Sequence, residues 1–419
     1  MSLLFDAKKR KSSETVKAAA KTEKMPEKKL LKLVAEGFAV LPSNNRRKNA
    51  LSCAIGKNTR TKINANLGCS PGFTSIKKEL EKAKVALEFG ADALMDLSTT
   101  TKALRRKLLK LPVPLGTVPV YDVLEKKGKN ASSDDFFNSV RDHCRQGVDF
   151  VTVHCGVNKQ SLKALEKSRR VLGIVSRGGS ALASWQIDTG LENPFFAEYD
   201  YVLEILSEYD VAMSLGDGMR PGCLHDANDY AQFSELKINA KLVMRSRKAG
   251  VQVIVEGPGH MPLNTIESHV RLMKKLCKGA PYYVLGPLVT DIGAGHDELT
   301  ASIGGAVAAM AGADFLCYVT PAEHLAFPDV DDVKQGVIAA KLAAHAADVA
   351  RGTSSGKQDL ELSKARAKLN WKKQFSLSLD RQKCKLYRAR KPPKDAKDVC
   401  SMCGEYCAVK VFNAAKKKR

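Results

Sequence analysis

VIVEGPGH, residues 253–260, is an apolar run without polar alternation that ends in Glu, Gly and His. Such a run suits a strand buried on both faces. Working outward, the same design returns in KINANLG (62–68), ALMDLST (93–99), PLGTVPVY (114–121), FVTVHCG (150–156), GIVSRGG (173–179), VAMSLGDG (211–218), YYVLGPL (282–288) and DFLCYVTP (314–321). Helical stretches such as SIKKELEKAKVALEFG and FSELKINAKLVMRSRKAG separate most of these runs. Nine runs so spaced predict an α/β fold, a parallel (β/α)8 TIM-like barrel with one extra strand or loop. Polar residues cluster where the runs end. In a barrel those ends meet at one face, where side chains from several strands converge on a ligand.

Around this core the spacing predicts four segments: an N-terminal lead-in at 1–60, the catalytic barrel at 61–328, a helical region at 329–385, and a linker with a cysteine tail at 386–419. VKQGVIAAKLAAHAADVARG reads as an alanine-rich helix, and SKARAKLNWKKQFSLSL as a charged helix continuing it. RARKPPKDAKD, with two prolines and many charges, reads as an exposed linker. There is no run of eighteen apolar residues to span a membrane, and the N-terminus lacks the apolar core of a secretory signal. Eleven cysteines, an odd number, fit reduced thiols in a cytoplasm better than a disulfide framework.

The formal net charge is +23. Nucleic-acid binding is one explanation, but aromatics are 6% of residues and no basic run is interleaved with them as a stacking platform requires. A solvated basic surface accounts for the excess better.

CSMCGEYC at 400–407 places Cys400, Cys403 and Cys407 within eight residues. A closed zinc site takes four ligands, and no Cys or His follows Cys407. Three thiolates suit a [4Fe–4S] cluster with one iron left open, so the segment alone balances catalytic iron–sulfur against structural metal. His260 and His324 each follow a predicted strand, and Glu256 and Asp217 sit on neighbouring strand ends, an arrangement open to metal binding or acid–base work. His154 in TVHCG occupies a comparable place. The glycine-rich turns SRGGS (176–180) and LGDGMRPG (215–222) pair backbone N–H groups with Arg177 and Arg220, a combination suited to a phosphate. Neither matches a Walker or dinucleotide fingerprint.

NANLG, MDLST, GTVPVY, GIVSRGGS, SLGDGMRPG, EGPGH, YVLGPL, TPAEHL and CSMCGEYC, in this order, resemble the radical S-adenosylmethionine phosphomethylpyrimidine synthase family of thiamine biosynthesis, across residues 60–407. The sister 5-hydroxybenzimidazole synthases of cobamide biosynthesis look almost the same. The resemblance implies a carbon–carbon lyase acting on 5-aminoimidazole ribotide, with the pyrimidine phosphate as the leading product and 5-hydroxybenzimidazole as the alternative. It implies that Cys400, Cys403 and Cys407 bind a [4Fe–4S] cluster that takes S-adenosylmethionine, and that His260 and His324 bind zinc or another divalent metal. Substrate contacts carry over to Asn66, Met95, Tyr121, His154, Ser176, Arg177, Gly178, Asp217, Gly218, Met219, Arg220, Glu256 and Tyr283. Of these, Glu256 and His154 are the expected catalytic pair, orienting the substrate and moving protons. The resemblance also implies a cytoplasmic homodimer in which one subunit's cysteine tail covers the other's barrel mouth, and an electron donor such as flavodoxin or ferredoxin. A basic nucleic-acid-binding protein with a zinc-knuckle tail stands as the reading from a different class.

Two departures bear on the product. The tail reads C-x2-C-x3-C where the family usually has C-x2-C-x4-C. MDLSTTTK (95–102) carries Thr100 where the pyrimidine synthases generally have glycine, which places a β-branched residue beside the expected substrate site if that turn needs glycine's freedom.

Overall fold

The computed structural model describes residues 2–353, 356–392 and 398–416. It divides into two compact units, Met1–Ala347 and Asp348–Arg419. Within the first, β1 (Ala39–Val40) and β2 (Ile55–Gly56) form a small antiparallel pair. Eight further strands follow: β3 (Lys62–Leu67), β4 (Ala93–Asp96), β5 (Leu115–Thr117), β6 (Phe150–Val153), β7 (Ala212–Leu215), β8 (Val253–Gly257), β9 (Tyr282–Leu285) and β10 (Phe315–Cys317). They close into a barrel in the order β10-β3-β4-β5-β6-β7-β8-β9, every pair parallel.

The predicted (β/α)8 barrel is therefore present, and eight of the nine runs supply its strands. The ninth, GIVSRGG, is the extra element. Residues 173–176 are irregular, and Ser176 caps the helix Arg177–Thr189 by accepting from Gly179 N–H. An apolar Ile-Val pair followed by glycines looks like a strand end in sequence, but here the serine starts a helix.

The barrel register sets predicted site residues side by side. Asn66 lies opposite Met95, Glu256 opposite Tyr283, and Thr152 opposite Ser214. Because side chains alternate along a strand, Asn64 and Asn66 share the inner face of β3, while Ile63, Ala65 and Leu67 join the buried apolar shell under the helices.

The opposite end of the barrel is sealed by the lead-in. Helices Leu3–Lys8, Glu14–Thr22 and Glu27–Ala35 bury their own apolar stripe, including Leu4, Val16, Leu30 and Val34. Polar anchors attach them under the strands. Lys62 pairs with Glu23 at 2.9 Å with both side chains buried, and Gln252 brackets the Leu41 backbone through both of its amide atoms.

In the second unit the expected continuous charged helix is broken into Gly356–Ala367 and Trp371–Leu377. Leu369 adopts a positive φ of 50°, and Asn370 caps the next helix by accepting from Lys373 N–H at 3.0 Å. The helix Arg381–Arg390 follows, and residues 393–397 of the expected linker lie outside the described residues. Among the described residues no helix is long and apolar enough to cross a membrane.

Candidate functional site

A cavity of about 380 Å³ opens at the C-terminal end of the barrel. Eleven of the residues singled out from sequence line it: Asn66, Met95, Tyr121, His154, Arg177, Asp217, Arg220, Glu256, His260, Tyr283 and His324. They arrive from β3, β4, β8 and β9, from the segments that follow strands and, for Arg177, from the start of helix Arg177–Thr189, so the barrel brings distant sequence together. Ser176, Gly178, Gly218 and Met219 do not line the cavity. They build its wall.

That wall explains the glycines. The His154 ring lies between Gly178 and Gly216; a Cβ at those positions would sit 2.4 Å from Cε1 and 2.7 Å from Cδ2. Ser176 Oγ lies 3.2 Å from His154 Nε2 and fixes the ring's other edge. The two glycine-rich turns also press backbone to backbone, since a Cβ on Gly179 would fall 2.6 Å from both Cα and O of Gly218. The turns flagged separately in sequence thus form one interlocked unit.

LGDGMRPG departs from the expected phosphate cradle. Gly218 and Met219 donate their N–H groups to the buried Glu235 carboxyl, each at 2.8 Å. From the other side, Arg170 donates to the carbonyls of Met219 and Arg220 while holding Asp229 with Nε and Nη2. This turn therefore contributes the Asp217 and Arg220 side chains, aimed by two buried charged groups, rather than free N–H groups. At the start of helix Arg177–Thr189, the Gly179 N–H is taken up by the Ser176 cap, and the Arg177 guanidinium stacks 5.3 Å from the Tyr121 ring.

Burial shapes the electrostatics. Glu256 accepts from Thr152 Oγ1 at 2.7 Å and Ser214 Oγ at 2.8 Å, both on Oε1, and burial raises its carboxyl above the usual range. Asp217 is pushed well up by burial, which outweighs the Arg220 guanidinium 3.3 Å away. Burial, aided by Arg220, lowers His154 to about 3, so the imidazole is neutral at physiological pH. A neutral ring can orient a substrate or accept a hydrogen bond, and it has no proton of its imidazolium form to give. Three buried polar atoms in this region have no hydrogen-bond partner: Asp217 Oδ2, His154 Nδ1 and Asn64 Oδ1. Unsatisfied atoms of this kind are costly unless a ligand satisfies them.

At the rim, the rings of His260 and His324 lie 5.3 Å apart. His260 Nδ1 bonds Asp291 at 2.8 Å, and His324 Nδ1 bonds Asp297 at 3.0 Å. Each carboxylate fixes its imidazole through Nδ1 and leaves Nε2 turned away from that contact, the kind of support seen behind metal-bound histidines. Among the described residues no group of three or more His, Cys, Asp or Glu is placed to hold a metal, so the pair supplies two ligands at most. Cys400, Cys403 and Cys407 belong to the second unit, on a loop closed by the short 3-10 turn Gly404–Tyr406. All three are free thiols, Cys403 exposed, and they are not gathered into a ligand set.

Sequence reasoning missed Glu235, Arg170, Asp291, Asp297 and the cavity-lining Glu323. Only Glu235 left a trace: it interrupts a buried helical stripe of Ala231, Ile238 and Leu242. Thr100, flagged as a possible determinant of product, is exposed, does not line the cavity and has no positive φ.

Against this geometry, comparisons with known proteins are specific. The radical SAM ThiC family matches residues 2–414. The phosphomethylpyrimidine synthase of a Thermoanaerobacter strain is 50% identical over 411 residues, covering 96% of this chain and 95% of that protein. Phosphomethylpyrimidine synthase 1 of Methanosarcina mazei is 50% identical over 424 residues, covering 99% and 98%. Among solved structures, a dihydropteroate synthase of Xanthomonas albilineans with 4-aminobenzoic acid covers 74% of this chain and 98% of its own at 13% identity, with a TM-score of 0.42, too slight a likeness to weigh.

Proposed function

The chain belongs to the radical SAM ThiC family, and from that premise we infer that it is a phosphomethylpyrimidine synthase. It is a lyase that rearranges 5-aminoimidazole ribotide to 4-amino-5-hydroxymethyl-2-methylpyrimidine phosphate in thiamine biosynthesis. The observation that supports the barrel mouth as its active site is the convergence of Arg177, Arg220, Asp217, Glu256 and His154 on one cavity that leaves buried polar atoms unsatisfied.

In this reading the substrate's phosphate is held by Arg177, Arg220 and the N-terminus of helix Arg177–Thr189. Asp217 Oδ2 accepts from the substrate's hydroxyl or amino groups. Neutral His154 orients it through Nδ1. Glu256, its carboxyl raised by burial and fixed by Thr152 and Ser214, takes up and returns protons. Asn66, Met95, Tyr121 and Tyr283 complete the walls, with the buried Leu288 as an apolar part of the lining.

Two groups remain to be supplied. Cys400, Cys403 and Cys407 have the donor chemistry for a [4Fe–4S] cluster and would hold it. Bound there, such a cluster would supply the electron that cleaves S-adenosylmethionine and so begins the radical rearrangement. His260 and His324, each backed by a carboxylate, would hold zinc or another divalent ion. The protein works in the cytoplasm as a homodimer in which one subunit's cysteine tail closes the other's barrel. Met402 and Tyr406, each 90% exposed beside the cysteines, suit such a cover. The named relatives favour the pyrimidine product over the benzimidazole alternative.

Calorimetric titration with 5-aminoimidazole ribotide tests the site without needing turnover. Arg220→Ala is expected to weaken binding by about 10- to 100-fold, the loss of a charge-assisted contact. Metal analysis of the His260→Ala protein is expected to show the divalent ion gone. Unchanged affinity in the first case, or unchanged metal in the second, would reject the corresponding assignment.

A further inference from the structure

Residues 348–419 contain twenty Lys and Arg against seven Asp and Glu, so they hold +13 of the chain's +23. This stretch is the second compact unit, the one that carries the cysteines. Its helices present Lys364, Lys372, Lys373, Lys383 and Lys385 to solvent, and Lys368 is exposed in the turn between two of them. The same helices hold the start of the cysteine loop. Trp371 Nε1 donates to Asp398 O at 2.8 Å, Arg388 Nη2 donates to Val399 O at 3.1 Å, and the Arg388 guanidinium stacks 3.7 Å from the Trp371 ring. Lys410 pairs with Asp398 at 3.4 Å. The concentrated positive charge and the three thiols therefore belong to one body.

We propose that the helical surface around Lys372, Lys373, Lys383 and Lys385 is the docking face for an acidic electron-carrier protein. The proposal rests on the family reading, in which Cys400, Cys403 and Cys407 hold a cluster that must be reduced. The reduced carrier gives up one electron and is oxidised by one; the cluster gains that electron, and no bond or proton need move. A field of one sign around the acceptor steers an oppositely charged partner and raises its association rate. Nucleic acid fits less well. Trp371 is covered by Arg388, and Tyr387 carries Arg390 at 4.3 Å and Lys383 at 5.9 Å, so these rings are engaged with cations rather than offered to bases.

The test uses the full chain with its cluster reconstituted, and flavodoxin, an acidic flavoprotein, as the probe. Titration calorimetry is expected to show flavodoxin binding that weakens about tenfold between ~50 and ~200 mM salt. The double variants Lys372→Glu with Lys373→Glu, and Lys383→Glu with Lys385→Glu, are expected to weaken it by about tenfold or more and to raise the KM for flavodoxin equally. Turnover supported by dithionite should stay unchanged, because that small reductant needs no docking face. Flavodoxin affinity unaltered in both variants would overturn the proposal. So would a single-stranded RNA whose binding collapses in the variants while flavodoxin's does not. Absence of dithionite-supported product in the unaltered chain would instead reject the enzymatic reading, leaving the flavodoxin titration to decide the docking face.

Discussion

Replacing Gly179 with alanine is expected to lower kcat/KM by about 100-fold or more while the protein remains folded. The added Cβ would lie 2.6 Å from the Gly218 backbone, where neither partner is a flexible side chain that can swing away. One turn must retreat from the other. Overpacking of this kind costs about 1–3 kcal/mol. The functional loss is larger than the stability loss, because the retreating turns carry Arg177, Asp217 and Arg220, and a displacement of about 1 Å at a reacting centre can cost about 100-fold. Gly356→Ala is the control: a Cβ there meets open space, and activity should match the unaltered chain. Steady-state kinetics beside circular dichroism separates misplacement from unfolding. An unimpaired Gly179→Ala enzyme would show that the interlocked turns do not set the site's geometry.

The second large effect is expected at Glu235. Its carboxyl receives the N–H groups of Gly218 and Met219, and burial pushes it up to about 8. Glu235→Ala leaves two buried donors without acceptors, each costing about 1–3 kcal/mol, unless the turn reorganises. Either outcome releases Asp217 and Arg220 from their aim, and kcat/KM should fall by about 100-fold or more by the same arithmetic. Glu235→Gln retains one acceptor and should recover part of the loss. Arg170→Lys keeps a charge for Asp229 but cannot fork onto two carbonyls, so it should resemble the alanine variant more than the glutamine one. Equal activity in all three would remove Glu235 and Arg170 as positioning residues.

These two predictions mark what could and could not be read from the residues. The barrel was legible because most of its strands are buried on both faces and so lack polar alternation, and because polar residues gather at their ends. GIVSRGG misled in part: the apolar pair before the glycines resembles a strand, and only the Ser176 cap reveals the helix. Asn66, His154, Asp217 and Glu256 were legible because each sits on or just beyond a strand. Glu235 and Arg170 were not, since they lie among ordinary helical and loop residues and act through backbone groups of a turn remote in sequence. Asp291 and Asp297 were hidden for the same reason. Their role appears only when the chain places them against His260 and His324. Thr100 shows the converse, a residue conspicuous in sequence that the fold directs to solvent.

The most direct measurement of the whole account is the product formed by the reconstituted chain, incubated anaerobically with 5-aminoimidazole ribotide, S-adenosylmethionine and dithionite. Mass spectrometry is expected to find 4-amino-5-hydroxymethyl-2-methylpyrimidine phosphate, dependent on all three additions and lost in Glu256→Ala. Formation of 5-hydroxybenzimidazole, or recovery of unchanged substrate from a fully loaded enzyme, would contradict it.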